Sequence, residues 1–350
     1  MSRRYPGGLI TKTPVVPTTS SAPGVWTLDQ AIGYIRAGTW PTPPVPAIAV
    51  SLGSSPYIET YPWSAGFGTK YADPATLPGI NGTDVTFNSA GTVIAVASGG
   101  LSPYIFAYPW ANGFGTKYAD PATPPTGSGR RVAFNPNGTV IAVGHSTTPF
   151  ISTYPFSSGF GTKYANPATL PPQTGTGVTF NPAGTVIAVP HPGSPYISTY
   201  PWSPGFGTKY ADPATLPTGT GYAAAFNAAG TAIAVSHAGS PYISTYPWSA
   251  GFGTKYANPA TLPTGTGFGV AFNPAGTAIA VAHNTTPSVS TYPWSAGFGT
   301  KYADPATLPG FVEDVAFNPS GTAIAVADGF SPYILTYPWS AGFGTKYANP

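Results

Sequence analysis

Four histidines occupy one position of a repeating pattern: His145, His191, His237 and His283, each 46 residues from the next. Each follows an Ile-Ala-Val run with one residue between, and the matching positions elsewhere are Leu52, Ser98 and Asp328. Imidazole titrates near neutrality and ligates metals, so four on one rim could hold a metal or touch a ligand. The plain alternative is a local hydrogen bond in each loop. A shared metal needs all ligands within ~2 Å of one point, and equivalent positions of successive repeats meet so closely only beside a common axis. No metal site is therefore assigned, and the four histidines stand as candidate ligand contacts.

Seven of the ten acidic residues fall into two groups. Asp73, Asp120, Asp212 and Asp304 each precede a proline, and Asn166, Asn258 and Asn349 take the same place in other repeats. An amide cannot transfer the proton that a catalytic carboxylate does, so these acids read as turn formers. Asp84 and the Glu313-Asp314 pair instead break the repeat, on the rim that carries the histidines. They are candidate ligand-binding residues. As a glycoside-cleaving pair they would need a separation of roughly 5–10 Å. No nucleophile elbow, Ser-His-Asp order or phosphate loop appears, because Gly-Phe-Gly-Thr recurs seven times without the phosphate-loop pattern. On these grounds the expected protein is not an enzyme and carries no cofactor.

The elements that must position these residues follow from the repeat. Tyr-Pro-(Trp/Phe) begins at Tyr61, Tyr108, Tyr154, Tyr200, Tyr246, Tyr292 and Tyr337. An Ile-Ala-Val run precedes each copy and Gly-Phe-Gly-Thr-Lys-Tyr follows it. A period in the forties made of short strand-like runs, broken by Gly and Pro, marks a radial array. Within one repeat, Val270–Asn273 is short and apolar, Ala278–Ala282 wholly apolar, Val289–Trp294 amphipathic, and Gly299–Ala303 polar. That gradient fits a blade whose innermost strand is crowded and whose outermost faces solvent. The expected fold is all-β, a seven-bladed β-propeller of four-stranded blades over residues 41–350, with the seven repeat lysines on its outside. Phe134, Phe180, Phe226, Phe272 and Phe317 mark inner strands expected to lie buried between blades. Blade 1 lacks this Phe, and Trp40 is the expected substitute. Trp63, Trp110, Trp202, Trp248, Trp294 and Trp339 could stack on sugars, but Phe156 replaces Trp in one repeat, which favours blade packing.

The run Val-Ala-Phe-Asn-Pro-Ala-Gly-Thr-Ala-Ile-Ala-Val-Ala (270–282) resembles the first two strands of WD-repeat blades. The resemblance covers roughly residues 45–350 and implies the architecture alone, since the Trp-Asp dipeptide is replaced by Tyr-Pro-Trp.

Residues 1–40 do not repeat. Thr27-Leu-Asp-Gln30 is a capping box, and Leu28, Ala31, Ile32 and Ile35 then share one helical face. This predicts a short helix in an N-terminal arm, with Trp26, Leu28, Ile32 and Ile35 as assembly anchors. Gly7-Gly-Leu-Ile-Thr-Lys-Thr-Pro with Ala22-Pro-Gly-Val-Trp-Thr-Leu-Asp-Gln30 resembles the N-terminal region of tailed-bacteriophage virion structural proteins. The resemblance implies a virion structural or decoration protein, anchored by the arm to other virion proteins and located on the particle. Its propeller would face outward for adhesion, with glycans or a second copy of the chain as further partners. The alternative is a secreted or surface lectin-like carbohydrate-binding propeller.

Composition sets the remaining bounds. Charged residues are 7% and net charge is +3, with no basic cluster of the kind phosphate contacts need, so nucleic-acid binding is not expected. No apolar run reaches the ~20 residues of a membrane span, and no secretory signal is read at the start. Gly and Pro, 44 each, serve as turn punctuation. An aromatic content of 14% supplies a core that disordered chains lack.

Overall fold

Each repeat turns back on itself at two fixed points, and this makes it a sheet. At the first, an asparagine closes the turn: Asn135 Oδ1 accepts the amides of Thr139 and Val140 at 2.8 and 2.9 Å. Gly138 supplies the left-handed φ of 69° that the turn requires. Asn88, Asn181, Asn227, Asn273 and Asn318 repeat the arrangement. At the second, a Ser-Pro or Thr-Pro bond in the cis form is followed by a residue at positive φ, as at Ser194-Pro195-Tyr196.

A computed structural model describes residues 46–350. It holds six three-stranded antiparallel sheets and one two-stranded sheet, each strand beside its neighbour in sequence. The inner strands are Gly82–Phe87, Gly129–Phe134, Thr179–Phe180, Gly221–Phe226, Gly267–Phe272 and Val312–Phe317. The middle strands carry Ile-Ala-Val, and in blades 2 to 6 they are wholly buried, as a strand covered on both faces must be. Blade 4 keeps only a two-residue inner strand, Thr179–Phe180. Its middle strand ends in Pro190, which has no N–H to give the ladder.

Blades of three strands correct the expected four. The Gly-Phe-Gly-Thr-Lys-Tyr segment returns beside the third strand but meets it only in places. In blade 1 these are the Trp63–Phe67 bridge, Gly68 N–H to Pro62 O at 2.9 Å, and Tyr71 N–H to Thr60 O at 3.0 Å. The proline of Tyr-Pro-Trp offers no amide to the returning chain, so a continuous ladder cannot form. The expected blade 1 inner strand around Trp40, and the arm helix with Trp26, Leu28, Ile32 and Ile35, lie outside the described residues. Blade 1 there consists of Ala47–Ser51 and Ile58–Pro62.

Seven apolar clusters hold the blades side by side, and each draws on two adjacent blades. Val140, Ala142 and Ile151 of blade 3, for example, pack with Phe180, Ile187, Val189 and Tyr200 of blade 4. The cluster of Val50, Leu52 and Ile334 joins blade 1 to blade 7. Aromatic rings repeat this closure. Tyr71 meets Trp110 edge-on at 5.1 Å, the pattern recurs around the ring, and Tyr347 of blade 7 meets Trp63 of blade 1 at 5.3 Å. The fold is thus a closed seven-bladed propeller.

The largest fully buried side chains include the tyrosines of Tyr-Pro-Trp. Six of their hydroxyls donate to a threonine carbonyl of the preceding blade, as Tyr200 does to Thr169 O at 2.9 Å. The inner-strand phenylalanines are less covered than expected. Phe180 and Phe226 are buried, whereas Phe134, Phe272 and Phe317 are half-buried and lie edge-on to the Trp or Phe of their own blade. The seven lysines lie outside, each bonded to the Asp or Asn three residues on.

Candidate functional site

Five inner strands share one irregularity: an extra residue after the first pair, which shifts the register before the third. Such bulges re-aim the next side chain. Here that side chain is Asp84 in blade 2, Arg131 in blade 3, Ala223 in blade 5, Gly269 in blade 6 and Asp314 in blade 7. Gly177 corresponds in blade 4. One half of the ring therefore presents charge, and the other half presents residues with little or no side chain.

The charged half converges. Arg131 Nη1 pairs with Asp314 Oδ2 and lies 3.4 Å from Asp84 Oδ1, so a blade 3 guanidinium joins carboxylates of blades 2 and 7. Two backbone amides fix the acids: Val132 N–H donates to Asp84 Oδ2 at 2.8 Å, and Val315 N–H to Asp314 Oδ1 at 2.9 Å. Gly269 leaves the room that this needs, since a β-carbon there would stand 2.3 Å from Asp314 Oδ1.

Among the described residues, a cavity of about 660 Å³ is bounded by this cluster and by blade 1. Asp84, Arg131, Glu313 and Asp314 line it, and its wall continues through Asn81, Gly53 and Ser54 to Asp328 and Tyr333. Burial pushes the Asp84 carboxyl up to about 6. Arg131 opposes that shift and Asp314 adds to it. Burial alone would lower the Arg131 guanidinium, but the two carboxylates outweigh it and hold the cation. The cavity thus contains a fixed positive charge beside a carboxyl that exchanges its proton near neutral pH.

Of the residues singled out in the sequence, Asp84, Glu313 and Asp314 come together at this cavity, with Glu313 the exposed one. The histidines do not join them. His145, His191, His237 and His283 are fully buried, each with Nε2 2.9–3.0 Å from a serine hydroxyl seven residues on. These serines, Ser152, Ser198, Ser244 and Ser290, occur only in the blades that carry the histidine. Glu59, Phe106 and Leu335 stand in their place elsewhere. The bond thus runs from the end of the middle strand to the third strand, and burial lowers all four imidazoles to about 4. Sequence reasoning missed Arg131. Aligning the inner strands on Phe87, Phe134 and Phe317 puts Asp84, Arg131 and Asp314 at one position, three residues earlier.

No protein-family model matches the chain, and no curated protein matches it. Its fold is shared with solved structures along nearly their whole length. A periplasmic gluconolactonase of Pseudomonas aeruginosa is 13% identical, with a TM-score of 0.64 over 87% of this chain and 94% of that one. A candidate 6-phosphogluconolactonase of Bacteroides uniformis is 15% identical, at 0.64 over 86% and 94%. A protein from Lactobacillus plantarum is 12% identical, at 0.68 over 87% and 95%. These likenesses support the propeller, and neither the WD-repeat name nor the bacteriophage arm finds support among them. They overturn the expectation of a virion structural protein, and with it the exclusion of enzymes. Some propellers of this shape bear lactonase names.

Proposed function

We propose that the cavity at Asp84, Arg131 and Asp314 is the active site of a small-molecule hydrolase that opens lactones. The observation that carries the reading is Asp84. A half-buried carboxyl raised to about 6 by desolvation, next to a cation, is poised for proton transfer at neutral pH. The names of the structural neighbours point the same way.

In the proposed reaction, ionised Asp84 accepts a proton from water as the water oxygen attacks the lactone carbonyl carbon. The carbonyl electrons move onto oxygen, and Arg131 stabilises the oxyanion. Collapse breaks the ring C–O bond, and the leaving alkoxide takes the proton from Asp84. The product is an open hydroxy acid. Asp314 is the positioning residue, because its carboxylate orients the Arg131 guanidinium.

The test is hydrolysis of glucono-δ-lactone and simple alkyl δ-lactones in a pH-stat, with the spontaneous rate subtracted. The expected kcat/KM rises with pH through about 6 and then levels. Asp84→Asn is expected to lower it by roughly 10²–10⁴-fold, the usual share of a general base. Absence of any acceleration, or an Asp84→Asn variant as fast as the parent, overturns the reading.

A further inference from the structure

Seven near-copies of one blade make departures from the repeat informative, and three departures coincide in blades 2 and 7. These blades carry the acids, Asp84 and Asp314. They also replace the buried histidine, with Ser98 and Asp328. The third departure lies at the tip of the loop between the second and third strands, two residues before the proline. Ser54, Thr147, Gly193, Gly239 and Thr285 occupy that position in five blades, whereas blade 2 has Leu101 and blade 7 has Phe330.

Both side chains stand in solvent, Leu101 57% exposed and Phe330 66% exposed. Folding does not require them, since five blades make the same turn with small or polar residues. Each belongs to a larger apolar lip. Gly100, the neighbour of Leu101, lies against Ile80, which is itself exposed. On the other side Phe330 packs on Gly310 and Phe311 on Gly329, with Tyr333 exposed nearby.

The loops under these lips are those that bound the cavity. Asn81 follows Ile80 and lines it, as do Gly329 and Tyr333. Ser98 and Asp328 hold the loops in place. Ser98 Oγ donates to Ile80 O at 2.8 Å, while Asp328 accepts the amides of Gly310 and Phe330 at 2.6 and 3.0 Å. The replacement of histidine in these two blades thus fixes the loops that carry the lips.

Resting on the hydrolase reading above, we infer that the substrate is a lactone bearing an apolar chain, its carbonyl at Asp84 and Arg131 and its chain against Leu101 and Ile80 or Phe330 and Tyr333. A polyhydroxylated sugar lactone would meet hydrocarbon at these lips where its hydroxyls need partners. An alkyl or acyl chain leaves water there.

The experiment uses the full chain, a series of δ-lactones with unbranched alkyl chains from methyl to octyl, and the matching unreactive δ-lactams. Hydrolysis is followed by pH-stat and lactam binding by calorimetry. The expected kcat/KM and lactam affinity both rise by up to about fourfold per added methylene, the value of burying one such group. The Leu101→Ser, Phe330→Ser double variant flattens both slopes. Serine already occupies this position in blade 1, and circular dichroism verifies folding. Glucono-δ-lactone hydrolysis without chain-length dependence in either readout overturns the apolar-chain inference and leaves the hydrolase standing. Chain-dependent lactam binding that the double variant loses, with no lactone hydrolysed, keeps the lips and removes the hydrolase. Equal slopes in parent and double variant overturn the assignment of the lips.

Discussion

Acidification from pH 7 to pH 5 strains the four buried imidazoles together. Each has an ordinary value near 6.5 when unfolded and about 4 when folded, because burial disfavours the charged ring. A folded-state value below the unfolded one means that the unfolded chain binds more protons between pH 4 and 6.5. Stability is therefore fully present above 6.5 and is lost as pH falls. Integrating from pH 7 to 5 gives a loss of about 2 kcal/mol per histidine, or about 7 kcal/mol for the four. Asp84 acts in the opposite sense. Its raised value makes ionisation costly to the folded state, so acidification returns about 1 kcal/mol. A net loss of about 6 kcal/mol is comparable with the whole stability of many domains, roughly 5–15 kcal/mol. Urea unfolding followed by tryptophan fluorescence at pH 7, 6 and 5 measures it. His191→Gln is expected to reduce the pH slope near pH 5 by about one proton, or about 1.4 kcal/mol per pH unit. A change below about 2 kcal/mol between pH 7 and 5, or imidazole resonances titrating near 6.5, would refute the argument.

Tyr246→Phe removes the hydroxyl that donates to Thr215 O at 2.8 Å and is expected to cost about 1 kcal/mol in chemical denaturation. Lys209→Ala breaks only the exposed pair with Asp212 and is expected to stay within about 0.5 kcal/mol. Tyr347→Ala at the closing interface and Tyr210→Ala inside the ring each lose one edge-on tryptophan contact, at 5.3 and 5.4 Å. Their melting shifts should agree to within about 1 kcal/mol, and a much smaller effect of Tyr347→Ala would mean that the ring does not close there.

The sequence by itself determined the class and order of the fold. Strand runs of fixed type between Asn-Pro-x-Gly and Ser-Pro turns leave few topologies, and turn chemistry is local. It also determined that Asp73 and its counterparts are turn residues beside the outer lysines, because Asn substitutes for Asp there. The fourth strand looked equally regular in sequence. It failed on a hydrogen-bond account that becomes evident only when the returning chain lies against the proline of Tyr-Pro-Trp. The histidines could be read as ligand contacts or as loop bonds, and the serine seven residues on was the unread signal. Tertiary structure decided the site. Arg131 and Asp314 are 183 residues apart, and although Asp314 breaks the repeat, nothing beside it in the sequence points to Arg131. Ring closure brings blade 7 beside blade 1, a bulge turns each side chain inward, and Gly269 leaves space for the carboxylate. Local patterns carry none of this, because the contact depends on where the seventh blade meets the first.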